Sequence, residues 1–177
     1  METAAVVDVD NKDAGKMFGT AAGANAAEVA KAAAAVGVVS GEQILKAIAA
    51  AAGDSGNHEG KKGDQAENAI QAAIGSGQGE NFNDDKLGKK SDQIAAALVL
   101  RGMAKDGKFS VAADAAQKTA KSTVEAAVGK TANALVGIIK VAIENGLKSV
   151  GAVVKKAGNG GPTAVGAGKN PGNKVIK

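Results

Sequence analysis

The feature that most limits how this chain can fold is the apolar stretch from Gln93 to Ala104. It reads QIAAALVLRGMA, and Arg101 is its one charged residue. A helix that is apolar on every face must be surrounded by other elements of the fold. It is also too short to cross a bilayer, which takes roughly 20 apolar residues. The stretch therefore predicts a buried central helix.

Both ends of this central helix can be predicted as well. Ser91 or Asp92 is expected to cap its first turn, because a side-chain oxygen there can accept free backbone N–H groups. Lys105, Asp106 and Gly107 are expected to end it. The lysine lies near the last carbonyls, and the glycine can adopt a left-handed conformation.

The composition favours an all-α protein with a thin core. Much of the 45% hydrophobic content of these 177 residues is alanine, and only 2% of residues are aromatic. Alanine is the best helix former but buries little surface. The fold predicted is an irregular helical bundle with a buried central helix, a long C-terminal helix and long glycine-rich loops.

Local patterns place the other helices. Asn25 with Glu28, and Ser40 with Gln43, have capping-box spacing. Gly37 is expected to end the first of these helices. The predicted helices, besides the central one, are 26–36, 41–52, 66–74 and 119–156.

The last of these helices has apolar residues at 3.6-residue spacing, which predicts one long apolar stripe. The stripe consists of Val124, Val128, Leu135, Ile139, Ile143, Leu147, Val150 and Val154. Lys130 and Lys140 are expected on the opposite, solvent-facing side. At 1.5 Å per residue the helix is about 55 Å long, too long for the shorter helices to cover. No run of the chain is predicted to cross a membrane.

The remaining segments are expected to be surface loops and tails. The polar, glycine-rich loops 54–65 and 75–90 are expected to change without touching the core. We predict one helical domain over 1–157 and a disordered tail over 158–177, which contains both prolines. Ala4 to Val9 is a short β-like run, and the N-terminus has no secretion signal.

No constellation of residues indicates catalysis, a cofactor or a metal. The chain has no cysteine, and its one histidine, His58, is expected to be a solvated loop residue. Glu80, Asp84 and Asp85 lack the spacing of a calcium loop. We therefore predict no catalytic, cofactor-binding or metal-binding residue, no cofactor and no enzymatic activity.

Two glycine motifs are rejected as nucleotide sites. Gly129-Lys130-Thr131 matches the end of a P-loop, but position 124 is valine and no strand precedes it. Gly75, Gly77 and Gly79 alternate without a surrounding βαβ pattern, so they are expected to be loop glycines.

The charge of the chain is modestly basic and widely dispersed. The net charge is +4, and the basic residues are lysines spread along the chain, apart from Arg101. Nucleic-acid binders concentrate basic residues on one face, so no nucleic-acid partner is predicted. An alternative function is a basic helical binding module for an acidic polymer or a membrane surface. A steep salt dependence of binding would favour that alternative.

Several stretches resemble a known family. DQIAAALVLRGMAKDGKF (Asp92 to Phe109) is similar to the invariable segment of the variable large protein (variable major protein-like) surface lipoproteins of Borrelia spirochaetes. DAGKMFGTAAGA, VSGEQILKAIAAAA and NAIQAAIG, which begin at Asp13, Val39 and Asn68, agree with it. The resemblance covers most of residues 11–157.

The resemblance implies a non-enzymatic outer-surface antigen that contributes to antigenic variation and immune evasion. Its helices would be a scaffold, its loops a variable surface, and its partners host antibodies. Full-length members are held at the extracellular face of the outer membrane by an acylated N-terminal cysteine, which this chain lacks. We therefore expect a partial sequence without the N-terminal part. Two copies could then pair through the uncovered C-terminal helix. The subfamily, expression and any host ligand stay open.

Overall fold

The structure, a computed structural model, describes residues 9–21, 23–54, 56 and 58–159. Its elements, in chain order, are a 3-10 helix Lys12–Phe18, α1 (Ala26–Val38), α2 (Gly41–Gly53), α3 (Ala69–Ile74), a π-helical turn Asp84–Gly88, α4 (Ser91–Met103) and α5 (Asp114–Asn159). These residues contain no strand, only the isolated bridges Ala21–Gln78 and Ala24–Val111. The predicted all-α bundle is confirmed.

The chain divides into two units, Met1–Gly137 and Ile138–Lys177. The described part of the second unit is the final portion of α5, residues 138–159. Gly158 and Asn159 belong to this helix, and the remainder of the predicted tail lies outside the described residues. Of the predicted β-like run from Ala4 to Val9, all residues except Val9 also lie outside the described residues. The domain boundary at 157 therefore stays a prediction.

The predicted central helix, α4, is the centre of the first unit. Ile94 and Leu98 are completely buried. The helix packs against α1, α2 and α3. One part of the prediction is wrong, because Met103 is 68% exposed. The last turn of α4 therefore extends beyond the core.

The two ends of α4 differ from the prediction. Neither Ser91 nor Asp92 is the N-cap; that position belongs to Lys90, whose side chain makes no capping hydrogen bond. Ser91 is buried, and its Oγ accepts a hydrogen bond of 3.2 Å from Asn11 Nδ2. The Ser91 hydroxyl, which was expected to cap the helix, therefore forms a tertiary hydrogen bond instead.

The chain reverses after α4 through Asp106 rather than Gly107. Asp106 has the left-handed φ of 64°, and Gly107 does not. A Cβ at Gly107 would collide with the carbonyl oxygen of Arg101. The glycine is therefore needed for close approach of two backbone segments, and not for its left-handed freedom.

Both predicted capping boxes are confirmed. Asn25 Oδ1 accepts from the backbone of Ala27 and Glu28, and Glu28 Oε2 accepts from Asn25 N at 2.7 Å. Ser40 and Gln43 form the same reciprocal pair. However, α1 does not end at the glycine of position 37 but continues to Val38.

Within the first unit, α5 packs through a different face from the one predicted. Its buried residues are small: Ala116, Ala120, Thr123, Ala127 and Thr131. Val124 and Val128 only border the core. Small side chains let two backbones approach closely, and a Cβ at Gly41 would collide with the carbonyl oxygen of Lys130. The alanine–threonine face therefore makes a tight contact that valines would prevent.

Lys130 also departs from its predicted solvent-facing position. Its ammonium donates to the carbonyls of Val36 at 2.6 Å, Gly37 at 3.3 Å and Val39 at 2.8 Å. The last carbonyls of a helix have no partner within the helix. Lys130 therefore caps the end of α1 and fastens it to α5.

In the second unit, the apolar side chains of α5 are exposed by 45 to 68%. They are Ile138, Ile139, Val141, Ile143, Leu147, Val150, Val153 and Val154. By length and composition α5 could cross a membrane, and only 11% of its most apolar run is buried. The prediction that the chain has no such run is therefore wrong by length and composition, because the lysines within the run, Lys130 and Lys140, leave its average apolarity high.

The central position of α4 predicts a large effect of truncating its core. Leu98→Ala should lower the free energy of unfolding by about 2–5 kcal/mol, because it opens a cavity in a packed site. Met103→Ala, in the exposed last turn, is the matched control and should change it by less than about 0.5 kcal/mol. Urea denaturation measures both. Equal effects would show that α4 is not the centre of the core.

Candidate functional site

The structure does not bring the polar residues considered above together into a site. His58 is half-buried, and its Nε2 lies 3.0 Å from the carbonyl oxygen of Ala51, so it is not the solvated residue predicted. Asp84 pairs with Lys12 at 3.5 Å. Among the described residues, no group of three or more histidine, aspartate or glutamate side chains is placed to hold a metal.

The glycine motifs also take structural positions. The segment 129–131 is in the middle of α5, so no phosphate-binding loop forms there. Gly75 and Gly77 have left-handed φ angles of 65° and 61°. A Cβ at Gly75 would also collide with the carbonyl oxygen of Phe18. These glycines let the loop after α3 turn close against the 3-10 helix.

The loop 75–90 is part of the core, and the expectation that it could change freely is wrong. Phe82 is 1% exposed and Leu87 is fully buried. Phe82 N donates to the carbonyl of Lys12 at 2.9 Å, and Asn11 N donates to that of Gly88 at 3.0 Å. The buried side chains and the backbone hydrogen bonds hold this loop against the core.

The described residues of loop 54–65, which are 54, 56 and 58–65, are held to the rest of the chain at several points. Lys61 N donates to the carbonyl of Gln71 at 3.1 Å. A Cβ at Gly63 would collide with the carbonyl oxygen of Glu80, so this position must stay small. Next to these anchors, the side chains of Lys62 and Asp64 are exposed. These two side chains can therefore change without disturbing the anchors at Lys61 and Gly63.

An ion pair joins the 3-10 helix to the start of α1. Lys16 Nζ donates to Glu28 Oε1 at 2.6 Å. Burial alone would raise the pKa of Glu28, but hydrogen bonds from Lys16 and from the Asn25 N–H outweigh it, so the pKa lies below its usual value. The same hydrogen bond raises the pKa of Lys16. Both groups are held in their charged forms.

Arg101 makes four side-chain hydrogen bonds, all to backbone carbonyls. Its Nε donates to the carbonyl of Lys108 at 2.7 Å, and its Nη1 to those of Phe18 at 2.6 Å and Ala73 at 3.4 Å. The rings of Phe18 and Phe109 lie 5.9 and 5.8 Å from the guanidinium carbon. In the sequence, this residue stands out only as the one charged residue of the apolar stretch 93–104. Its distant partners could not be predicted.

A large cavity lies beside α5. It has a volume of about 460 Å³, and its apolar lining includes Phe109, Val111, Ala120 and Val124. It contains no converging set of catalytic groups. The features that remain as candidates for function are therefore the exposed loop surface, the exposed part of α5 and the cleft beside Arg101.

A comparison with known protein families identifies the chain. The model that describes the Borrelia lipoprotein family matches residues 1–154. This chain belongs to the Borrelia lipoprotein family. The resemblance inferred from the sequence is therefore confirmed.

Individual members of this lipoprotein family are also similar. Variable large protein 4 of Borrelia hermsii is 38% identical over 151 residues, which cover 80% of this chain and 41% of that protein. Variable large protein 25 of the same species is 32% identical, with 85% of this chain and 41% of that protein covered. The chain thus spans about two fifths of the length of these curated relatives.

A solved structure has the same fold. The Lyme disease variable surface antigen VlsE of Borrelia burgdorferi matches with a TM-score of 0.78 and 45% sequence identity. The match covers 87% of this chain and 53% of that one. The arrangement of helices described above is therefore shared with a surface antigen.

Proposed function

We propose that this lipoprotein-family chain is a surface antigen that contributes to antigenic variation and has no enzymatic activity. The named relatives support the proposal, since VlsE is a variable surface antigen. The observation that carries it is the contrast in exposure between the buried helix α4 and the open positions of loop 54–65. Helices would keep the fold constant, while these positions change what antibodies meet.

The proposed partners and location follow from the same family. Host antibodies would bind the exposed loop, and longer members would be held at the outer face of the outer membrane by an N-terminal lipid. The family description as lipoproteins supports this anchor. The proposed variable surface is loop 54–65 and does not include loop 75–90, because Phe82 and Leu87 of the latter are buried.

Antisera test the division between scaffold and surface. Sera raised against the intact chain should bind a Lys62→Glu, Asp64→Lys double variant less well, because both side chains are exposed. Exchanging the two charges keeps the net charge constant. Sera raised against a peptide of α4 should bind the denatured chain far better than the folded one, since α4 is buried. Equal titres on both forms, with unchanged binding of the double variant, would contradict the proposal.

We also propose that two copies pair through the exposed portion of α5. The support is the apolar surface of residues 138–159, since large exposed apolar patches usually mark an interaction site. Charged side chains such as Lys148 also lie on this segment. They would remain in water when the apolar side chains of two copies pair.

Sedimentation over a range of protein concentrations tests this pairing. Ile143, 57% exposed, should contribute to the contact, so Ile143→Glu should shift the chain toward the monomer. Lys148→Gln on the same helix lowers the net charge by the same one unit and is the control. A monomer at every concentration for the unmodified chain would contradict the pairing.

A further inference from the structure

A cleft of about 390 Å³ opens beside the buried guanidinium of Arg101. The residues that line it are Gly19, Thr20, Arg101, Lys108, Phe109 and Ser110. Arg101 and Gly19 are buried, whereas Thr20 and Lys108 are exposed. The cleft therefore extends from solvent to a buried cation.

Among the described residues, no aspartate or glutamate pairs with the charge of Arg101. The side chain is only 9% exposed. Its hydrogen bonds all go to backbone carbonyls, and the ion pairs found in the described part of the chain do not include it. Burial lowers the pKa of Arg101, although a guanidinium stays charged. A buried charge without an opposite charge is costly, so an anion that reached it would be bound favourably.

One nitrogen of the guanidinium is weakly used. The Nε and Nη1 atoms make bonds of 2.7 and 2.6 Å, whereas Nη2 has a single contact of 3.5 Å, with the carbonyl of Gly19. A guanidinium carries five N–H donors in a planar fork. Nη2 therefore has donor capacity that the protein does not fill.

Other donors lie around the same cleft. Lys108 and Ser110 also line it, and their side chains carry an ammonium and a hydroxyl as possible donors. The rings of Phe18 and Phe109 lie beside the guanidinium and keep its surroundings apolar. Charge-assisted hydrogen bonds are stronger in such surroundings than in water.

We propose that this cleft binds a single oxyanion group, a carboxylate, sulfate or phosphate, through Arg101 Nη2, Lys108 and Ser110. This role is separate from that of a surface antigen. A cleft with one buried cation suits one anionic group of a small ligand. An extended polyanion would need a continuous basic surface, and the lysines of this chain are dispersed.

The test is a titration of the full chain with sodium acetate, sulfate and phosphate at constant ionic strength, with chloride as the replaced salt. The NMR signals of the Arg101 side-chain N–H groups and of the Ser110 amide report on the cleft. We expect saturable shifts for at least one anion. The anion that binds most tightly identifies the chemical group.

Variants at the mouth of the cleft keep the test independent of folding. Lys108→Gln should weaken binding about tenfold, because it removes one charge-assisted hydrogen bond. Lys105→Gln removes the same charge from an exposed lysine that does not line the cleft, and should leave binding unchanged. Shifts that never saturate, or an equal loss in both variants, would overturn the proposal and leave Arg101 as a purely structural residue.

Discussion

The fold depends on the hydrogen bonds that one buried guanidinium makes to backbone carbonyls. Arg101, near the end of α4, reaches the end of the 3-10 helix at Phe18, the last turn of α3 at Ala73 and the returning chain at Lys108. These segments are far apart in sequence. A buried carbonyl left without a donor costs about 1–3 kcal/mol. Because the carbonyls of all three segments need Arg101 as their donor, this side chain holds the segments together.

Close packing of backbones explains why so small a core can be stable. Segments before α1 lie directly against the loop after α3, where a Cβ at Gly15 or Gly19 would collide with the backbone of that loop. The helix α5 approaches the bundle through alanine and threonine. Close approach compensates for the small area that each alanine buries, because protein interiors are stabilised by many short contacts. It also makes loop 75–90 part of the scaffold, since Phe82 and Leu87 of this loop are buried.

The features predicted correctly from the sequence are those that a local pattern determines. The capping boxes at Asn25 and Ser40 and the burial of Leu98 depend on residues a few positions apart. Several of the errors concern contacts between distant segments. Ser91 turns inward because Asn11 binds it, and Lys130 leaves solvent because the end of α1 needs donors. For the candidate cleft, only the isolated charge at position 101 was visible in the sequence.

The central claim is that α4 and the groups bound to it form the most stable part of the molecule, while residues 138–159 have little support. Hydrogen exchange measured residue by residue tests this claim most directly. The account predicts that the amides around Leu98 exchange slowest, only through global unfolding, and that the amides of 138–159 exchange much faster. If the amides of α4 exchanged as fast as those of 138–159, the account would be contradicted.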